Sequence, residues 1–478
     1  MPEELTLGPI VGVTANSANI WFKDVSKNMY WIRYGEKFET GSTLTFNSAD
    51  DATCLCKLDN LKPNTEYDYA LSKSDGGEVL ANGRFATFPR DSENVAFSFG
   101  FFSCHKPEAA ESLVMWDRLS RLIHSASRTD SPDSIRFNLA IGDQIYADEY
   151  GVKSKDYLNL DEASLDFHFE SRYNLFWRLR SVRDVFSRCP SFMIWDDHDI
   201  RDGWGSRKND LKDPQLLKVF RAAEESFIRH QLSHNPFCPN PRTTKYYAFR
   251  FAQAGFIVLD LRGERNANTR TMMSETQWKW LARQLNVYCG QCKVVFVVTS
   301  VPFYHPVRGF AKALVDLKKI LSKDEMEDSW GSKVWQAEGA RFAKILFDAQ
   351  GAPGRKSKIV LLGGDAHLAT CAEIRIGSDM QAISIPQFTS SAISNAAPSV
   401  YKIVHGNIQD KSWRSIYDGT QYQGRIPHLI VARNVGIVRV TPLSDGESSV
   451  RFDLHHERSE APVTLYDNQI AKKPVVIA

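Results

Sequence analysis

An α/β fold with a mostly parallel sheet, preceded by a small β-sandwich, is what this sequence predicts. Three observations carry that prediction. Residues 1–90 hold only short β-type runs separated by turn clusters, strand-like and helical segments alternate from about residue 91 to residue 478, and four of the later apolar runs end directly in Asp, His, Cys or Tyr. Strands alternating with helices at these lengths need crossover connections, which make the sheet parallel. In an open α/β sheet ligands bind beyond the carboxyl ends of the strands, so four such ends far apart in sequence can meet at one point.

In the first part, SANIWFK, MYWIRYG, STLTF, ATCLCKL and EYDYALS alternate with turn clusters such as SADD and KSDGG. LDNLKPNTEYDY (Leu58 to Tyr69) places a Pro-Asn turn before Tyr67, the pattern of the tyrosine corner in immunoglobulin-like and fibronectin-like sandwiches. The Pro-Arg-Asp-Ser break in ATFPRDSENVAF (Ala86 to Phe97) marks a boundary. Two domains follow: a fibronectin-like sandwich over 1–90 and a larger α/β domain over 91–478.

Beyond FFSCH, the stretch from Pro107 to about Ala126 has Pro in a permitted first-turn position and Leu113, Trp116, Leu119 and Ile123 at helical spacing, which predicts a core-facing helix. Ser274 and Gln277 make a capping-box pattern ahead of Trp278, Leu281 and Leu285, and the strand-like VVFVVTS follows. VWQAEGARFAKILFDA predicts a helix before the strand KIVLLGG, and RNVGIVRVTP and SSVRFDLHHE predict two strands that pair and close the sheet. Residues 387–428, rich in Ser, Asn, Gly and Gln, read as a long surface excursion of the kind that can form a lid.

The 478 residues suffice for a large core, and 43% hydrophobic with 24% charged residues is an ordinary globular composition. A formal charge of +2, from 59 Lys and Arg against 57 Asp and Glu, gives no electrostatic footprint for nucleic acid or an anionic membrane. The longest apolar run, VVFVVTSVPF, is about half the ~20 residues of a membrane-spanning helix. Eight cysteines are sparse for this length and do not space as a disulfide framework. Cys289 and Cys292 in CGQC have metal or redox spacing without a second such pair, and they read as reduced thiols in a turn. Cys54 and Cys56 read as thiols on one face of a strand.

The chemistry concentrates in four segments. In IGDQIYAD, Asp143 follows a strand at once and its carboxylate can bridge two cations, while Tyr146 lies three residues on. A phenolate ligand requires its pKa to fall from about 10, which takes a strong Lewis acid such as Fe³⁺. WDDHD gathers Asp196, Asp197, His198 and Asp199 behind the apolar SFMI. Three carboxylates so close repel one another unless a cation or several donors neutralise them. In LLGGDAHLA the Gly pair permits a tight turn, and Asp365 and His367 can both reach a metal. FFSCH places Cys104 at a strand end just before a helix, where the helix-end partial charge favours thiolate, a ligand for iron or zinc.

Taken together, GD-x-x-Y, the His-bearing WDDH and the closing GD-x-H resemble the metal-binding blocks of the calcineurin-like metallophosphoesterase superfamily. The Ser-Cys in place of the first block's usual Asp-x-His, the LDLR run and the preceding sandwich resemble the alkaline phosphatase D (PhoD-like) family. That resemblance implies an αββα-type sandwich for the catalytic domain. It implies Fe³⁺ among Cys104, Asp143, Tyr146 and His367, with Asp143 bridging to a second metal region that includes Asp197 and Asp365. The second ion implied is Ca²⁺, with Zn²⁺, Mn²⁺ or Mg²⁺ as alternatives. His198 matches the superfamily His that contacts the scissile phosphate and helps the leaving group depart, and Arg262 in VLDLRGER matches the family's LD-x-R and is expected at the phosphate oxygens through a charge-assisted fork. Asp202 stands where members often have Asn and His105 where Gln or Asn is usual, so both roles are open.

The expected activity is metal-dependent hydrolysis of phosphate esters, small-molecule or polymeric. Phosphomonoesters come first, and a phosphodiesterase of phospholipase D-like type is the alternative within the family. Two readings from other classes stay open. One is a binding protein on a spent enzyme fold. The other is a cysteine-nucleophile enzyme built on Cys104 with His105, although adjacent residues on an extended segment point to opposite faces, which places that His badly as a base. Family members are often exported with a twin-arginine leader. The start MPEELTLGPIVG shows no secretory signal, which predicts a cytoplasmic enzyme as written, or an exported one whose leader has been removed. Oligomeric state is not legible in the sequence.

Overall fold

The computed structural model describes residues 5–25, 29–35, 40–44, 52–125, 129, 131–149, 156–304, 328–355, 357–376, 383–396, 412–417 and 420–469, with the backbone course alone for 41–44, 412–417 and 420–422. Seven strands come first: β1 Leu7–Val13, β2 Ala18–Lys23, β3 Tyr30–Gly35, β4 Thr40–Leu44, β5 Thr53–Leu58, β6 Glu66–Ser72 and β7 Val79–Ala86. They form two antiparallel sheets, β1-β2-β5 and β4-β3-β6-β7. The Tyr67 hydroxyl accepts the Lys62 N–H at 2.8 Å across the Pro-Asn turn, where Asn64 takes a φ of +50°. The tyrosine corner expected from the sequence is therefore formed.

These sheets are not a detached lobe. The Tyr69 hydroxyl donates to the Ser187 carbonyl at 2.8 Å, the Asn19 amide donates to the His234 carbonyl at 3.2 Å, and Trp21 packs edge-on to His230. Their buried residues run without a break into the core of the larger part.

The larger part continues with β8 Phe97–Phe102, α1 Val114–His124, β9 Ile135–Ile141, α2 Glu162–Trp177, α3 Arg180–Arg188, β10 Ser191–Ile194, α4 Pro214–Phe227, β11 Tyr247–Phe251, β12 Ala254–Val258, α5 Glu275–Gln291, β13 Val294–Thr299 and α6 Gln336–Gly351. After these come β14 Lys358–Gly363, β15 Ala369–Ile376, β16 Ile383–Ser390, β17 Ser412–Tyr417, β18 Thr420–Ile430, β19 Asn434–Pro442, β20 Ser448–His456 and β21 Val463–Asp467. Two mixed sheets result, β10-β9-β8-β19-β20-β21 and β11-β12-β13-β14-β16-β15-β18-β17. Parallel pairing holds where crossovers connect the strands, through β10-β9-β8 and β12-β13-β14-β16. RNVGIVRVTP and SSVRFDLHHE do pair with each other, and β19 also lies antiparallel to β8, inside its sheet.

Side-chain alternation explains the layering. Along β12 and β13, Phe256, Val258, Phe296 and Val298 point into a core shared with the other sheet, where Phe99 and Phe137 meet Phe256 edge-to-face. Ile257, Val295 and Val297 point the other way, into a second core beneath α5 and α6. A strand covered on both faces reads as a continuous apolar run, as VVFVVT does.

Three local expectations change. The helix foreseen from Pro107 begins as a short turn at Ala110 and becomes α-helical at Val114, because the chain before it is tied to the β9 loop: the Cys104 and His105 N–H groups donate to the Gly142 and Asp143 carbonyls. Ser274 caps α5 through the Gln277 N–H, but the Gln277 side chain does not close the capping box. It clasps both backbone groups of Asp260 instead, at 2.9 and 2.8 Å. The surface excursion foreseen over 387–428 is in large part sheet: the end of β16, then β17 and β18. Residues 397–411 of it lie outside the described residues. Its polar residues misled because they are buried with partners. Gln387 clasps both backbone groups of Tyr304, and the Ser390 hydroxyl donates to Asn434.

Candidate metal centre

The four chemistry-bearing segments come from both sheets. β8, β9 and β10 deliver Cys104, Asp143 and the run Asp196 to Asp199, and β14 from the facing sheet delivers Asp365 and His367. Glycine makes the junction possible. A Cβ on Gly364 would lie 2.5 Å from the Ile141 carbonyl, and one on Gly142, whose φ is +104°, would lie 2.7 Å from the Asp196 Cβ. Only a residue without a side chain lets these strand ends approach so closely.

Cys104, Asp143, Asp365 and His367 each offer a ligand atom, and these atoms all lie within 4.8 Å of one another. The Tyr146 hydroxyl belongs to the same group, 3.2 Å from Asp143 Oδ2 and 3.4 Å from His367 Nε2. Cys104 Sγ is 3.4 Å from Asp143 Oδ2. The backbones of Cys104, Asp143, Asp365 and His367 all have positive φ, between 49° and 57°. Left-handed conformations in residues other than glycine cost on the order of 1–3 kcal/mol each and persist where the surrounding structure enforces them, typically at functional sites. All four candidate ligands share that strain.

Two further groups adjoin: Asp143 with Asp197 and His198, and Asp196 with Asp197 and Asp365. Asp143 faces both ways, since its Oδ2 meets Cys104 and Tyr146 while its Oδ1 accepts the His198 N–H at 3.3 Å. His198 stacks on the Tyr146 ring with 4.2 Å between centroids, and its Nδ1 is 2.8 Å from Asp148 Oδ1. Among the described residues Asp196 Oδ2 is buried without a hydrogen-bond donor, and Asp197 Oδ1 has only the Arg262 guanidinium, 3.4 Å away, as a partner.

Electrostatics make this arrangement costly for the chain by itself. Burial first, and then the neighbouring carboxylates, push Asp143 and Asp365 well above the carboxylate range. Burial likewise raises the Cys104 thiol and the Tyr146 phenol, with Asp143 beside both adding to it. Burial alone would lower His198, but Asp148, Asp197 and Asp143 outweigh it and hold the imidazole well above its usual value. Carboxylates, a thiol, a phenol and an imidazole crowded together, with a buried oxygen lacking a donor, fit cations: positive charge there reverses each of these upward shifts and supplies the missing partner.

Arg262 departs from expectation. It is fully buried, its Nε pairs with Asp196, and its two terminal nitrogens form a fork on Asp328 at 2.9 and 2.6 Å, with contacts to the Trp204 carbonyl and Asp197 besides. A guanidinium whose donors are all taken by the protein has none left for a phosphate. It braces the Asp196–Asp197 segment from behind. His105 is structural: it hydrogen-bonds to Ser394, to the Phe176 carbonyl and to the Trp116 indole, and burial lowers it to about 4. With its ring so engaged it does not serve Cys104 as a base. Asp202 pairs with Arg207 at 3.0 Å, and it is absent from the ligand groups among the described residues.

Several site residues escaped the sequence reading. Asp148 sits at the end of IGDQIYAD and could have been singled out as a partner for His198. Ser391, Asn395 and Asp328 carry no local signal. Ser391 and Asn395 lie in the polar stretch read as an excursion, yet the Ser391 hydroxyl donates to Cys104 Sγ at 3.1 Å and the Asn395 amide to the Tyr146 hydroxyl at 3.0 Å. All eight cysteines, Cys289 and Cys292 among them, are buried thiols outside any disulfide.

No curated protein matches the sequence. Among solved structures, PhoD superposes with a TM-score of 0.64 over 98% of this chain and 94% of its own, at 17% identity. A purple acid phosphatase from yellow lupin (Lupinus luteus) seeds superposes with a TM-score of 0.53 over 95% of this chain and 73% of its own, at 12% identity. These likenesses establish the mixed α/β, sheet-rich architecture. The model of PhoD-like phosphatases matches residues 99–434, which run from β8 to the start of β19 and include every candidate ligand. The chain belongs to the PhoD-like phosphatase family, hydrolases of phosphoric esters.

Proposed function

We propose that this protein hydrolyses phosphate esters, phosphomonoesters foremost, at a centre for two metal ions that Asp143 would help to hold on both sides. One observation carries the reading: the two oxygens of the Asp143 carboxylate face two different ligand groups, Cys104 and Tyr146 on one side and His198 with its neighbour Asp197 on the other. Cys104, Asp143, Tyr146 and His367 would hold Fe³⁺, whose charge suits a thiolate and a phenolate. Asp197 and Asp365, with Asp143, would hold a second ion, Ca²⁺ before Zn²⁺, Mn²⁺ or Mg²⁺, since their hard oxygen atoms suit it. Such ions, when bound, polarise a phosphoryl oxygen and acidify a water for in-line attack.

The remaining work falls to the chain. Asp148 fixes Nδ1 of His198 as a proton-bearing atom and leaves Nε2 to donate to the departing oxygen. The network Arg262–Asp196–Asp328 holds the Asp197 loop rigid, and the buried surroundings strengthen every charge interaction at the centre. The N-terminal sheets form the fibronectin-like domain over 1–90, and residues 91–478 form the catalytic domain. Among the described residues no helix is long and apolar enough to cross a membrane.

Asp143→Asn is the direct test. Loss of both bound metal and aryl phosphate hydrolysis is expected, and retention of both overturns the site. A Tyr-ligated Fe³⁺ centre gives a visible charge-transfer band, so a colourless active enzyme would point to another metal. A panel setting an aryl monoester against a bis-aryl diester decides the substrate, and a strong preference for the diester overturns the first choice.

A further inference from the structure

The segment Ser390 to Asn395 leaves the end of β16 and lies along the Cys104 loop: the Ile393 N–H donates to the Ser103 carbonyl at 2.9 Å and the Asn395 N–H to the Cys104 carbonyl at 3.2 Å. Its side chains turn to the ligands. The Asn395 amide nitrogen, on a residue 7% exposed, lies 3.0 Å from the Tyr146 oxygen and 3.2 Å from His367 Nε2. The Ser391 hydroxyl donates to Cys104 Sγ at 3.1 Å and accepts the His367 N–H at 3.1 Å. One short segment therefore touches Cys104, Tyr146 and His367. Asn434 anchors it from the neighbouring strand, its N–H donating to the Ala392 carbonyl at 2.9 Å.

A donor aimed at an anionic ligand atom draws electron density away from the bond that atom makes to a metal. We propose that Asn395 and Ser391 are positioning residues that set the donor strength of Tyr146 and Cys104 toward a bound metal, and with it the Lewis acidity of the centre. This rests on the metal-centre reading above. Asn395 moderates the phenolate and Ser391 the thiolate, so the ion keeps more of its positive charge than the bare ligand set would leave it. The same contacts hold the phenol and imidazole in place before the ion arrives.

The test uses the full-length protein loaded with Fe³⁺, in wild-type form and as Asn395→Leu, Asn395→Asp and Ser391→Ala, with iron content, visible spectrum and steady-state kinetics on an aryl phosphate measured for each. Asn395→Leu keeps the branched shape and removes the donor. Its phenolate-to-iron band is expected at longer wavelength, because the donor orbital of an unmoderated phenolate lies higher, and kcat is expected to fall by about tenfold or more with KM little changed. Asn395→Asp keeps the shape without an N–H and carries the test if the Leu variant does not fold. Ser391→Ala is expected to leave the phenolate band in place while lowering kcat. An iron-loaded Asn395→Leu or Asn395→Asp protein with the wild-type band overturns the assignment and leaves the centre standing. A wild-type protein that holds no iron and shows no band overturns the iron assignment, and this assignment with it.

Discussion

Asp148 Oδ1 lies 2.8 Å from Nδ1 of His198, and the other Asp148 oxygen accepts the Asp202 N–H at 2.8 Å. The carboxylate is thus fixed by the loop that follows the WDDHD run, and it fixes the imidazole in turn. Burial opposes the charge on Asp148, but the adjacent His198 wins and its carboxyl sits below the usual range. The pair is held ionised.

Asp148→Asn should therefore lower kcat by about 10²-fold, the scale of a positioned proton donor. Esters with poor leaving groups should suffer more than activated aryl esters, because they depend more on that proton. Steady-state kinetics across leaving groups of differing basicity check this, and an equal loss for all of them would remove His198 from the acid role.

Metal removal should expose the crowding of carboxylates as a pH effect. Burial raises Asp196 to about 6 and Asp199 to about 7, against an ordinary value of 3.8. Above pH 4 the unfolded chain ionises these groups freely while the folded chain retains their protons, so stability falls as pH rises from about 4 to 7. The thermal midpoint of chelator-treated protein should be lower at pH 8 than at pH 5.5, and metal should abolish the difference. A midpoint that rises over this range contradicts the electrostatic account.

Arg262→Met should act on stability before it acts on substrate affinity. The change leaves Asp196 and Asp328 buried without their cation, a loss on the order of 3–5 kcal/mol. Denaturant unfolding measures it. Were Arg262 a phosphate contact, the variant would show wild-type stability with a raised KM.

Tyr69→Phe separates docking from chemistry. It removes the bond to the Ser187 carbonyl that ties the N-terminal sheets to α3, at a loss of about 1 kcal/mol. Unfolding should shift accordingly while kcat stays unchanged, since Ser187 lies outside the ligand groups.

Much of this protein was written in local patterns. The β-only start, the tyrosine corner at Tyr67 and the strands before Cys104, Asp143, Asp196 and Asp365 follow from periodicity and turn chemistry, which depend on neighbours in sequence, and the candidate ligands were implied by the resemblance of their short blocks to a known family. The tertiary structure alone decided that β14 faces β8, β9 and β10 from a second sheet, with Gly364 permitting the contact, and that four candidate ligands take left-handed backbones. It also decided that Arg262 turns to Asp328, and that Ser391 and Asn395, in a stretch that looks solvent-exposed, lie against Cys104 and Tyr146. The physical reason is common to all of these. A polar side chain looks the same in sequence whether water or a buried partner satisfies it, and the partner is chosen by packing between segments hundreds of residues apart.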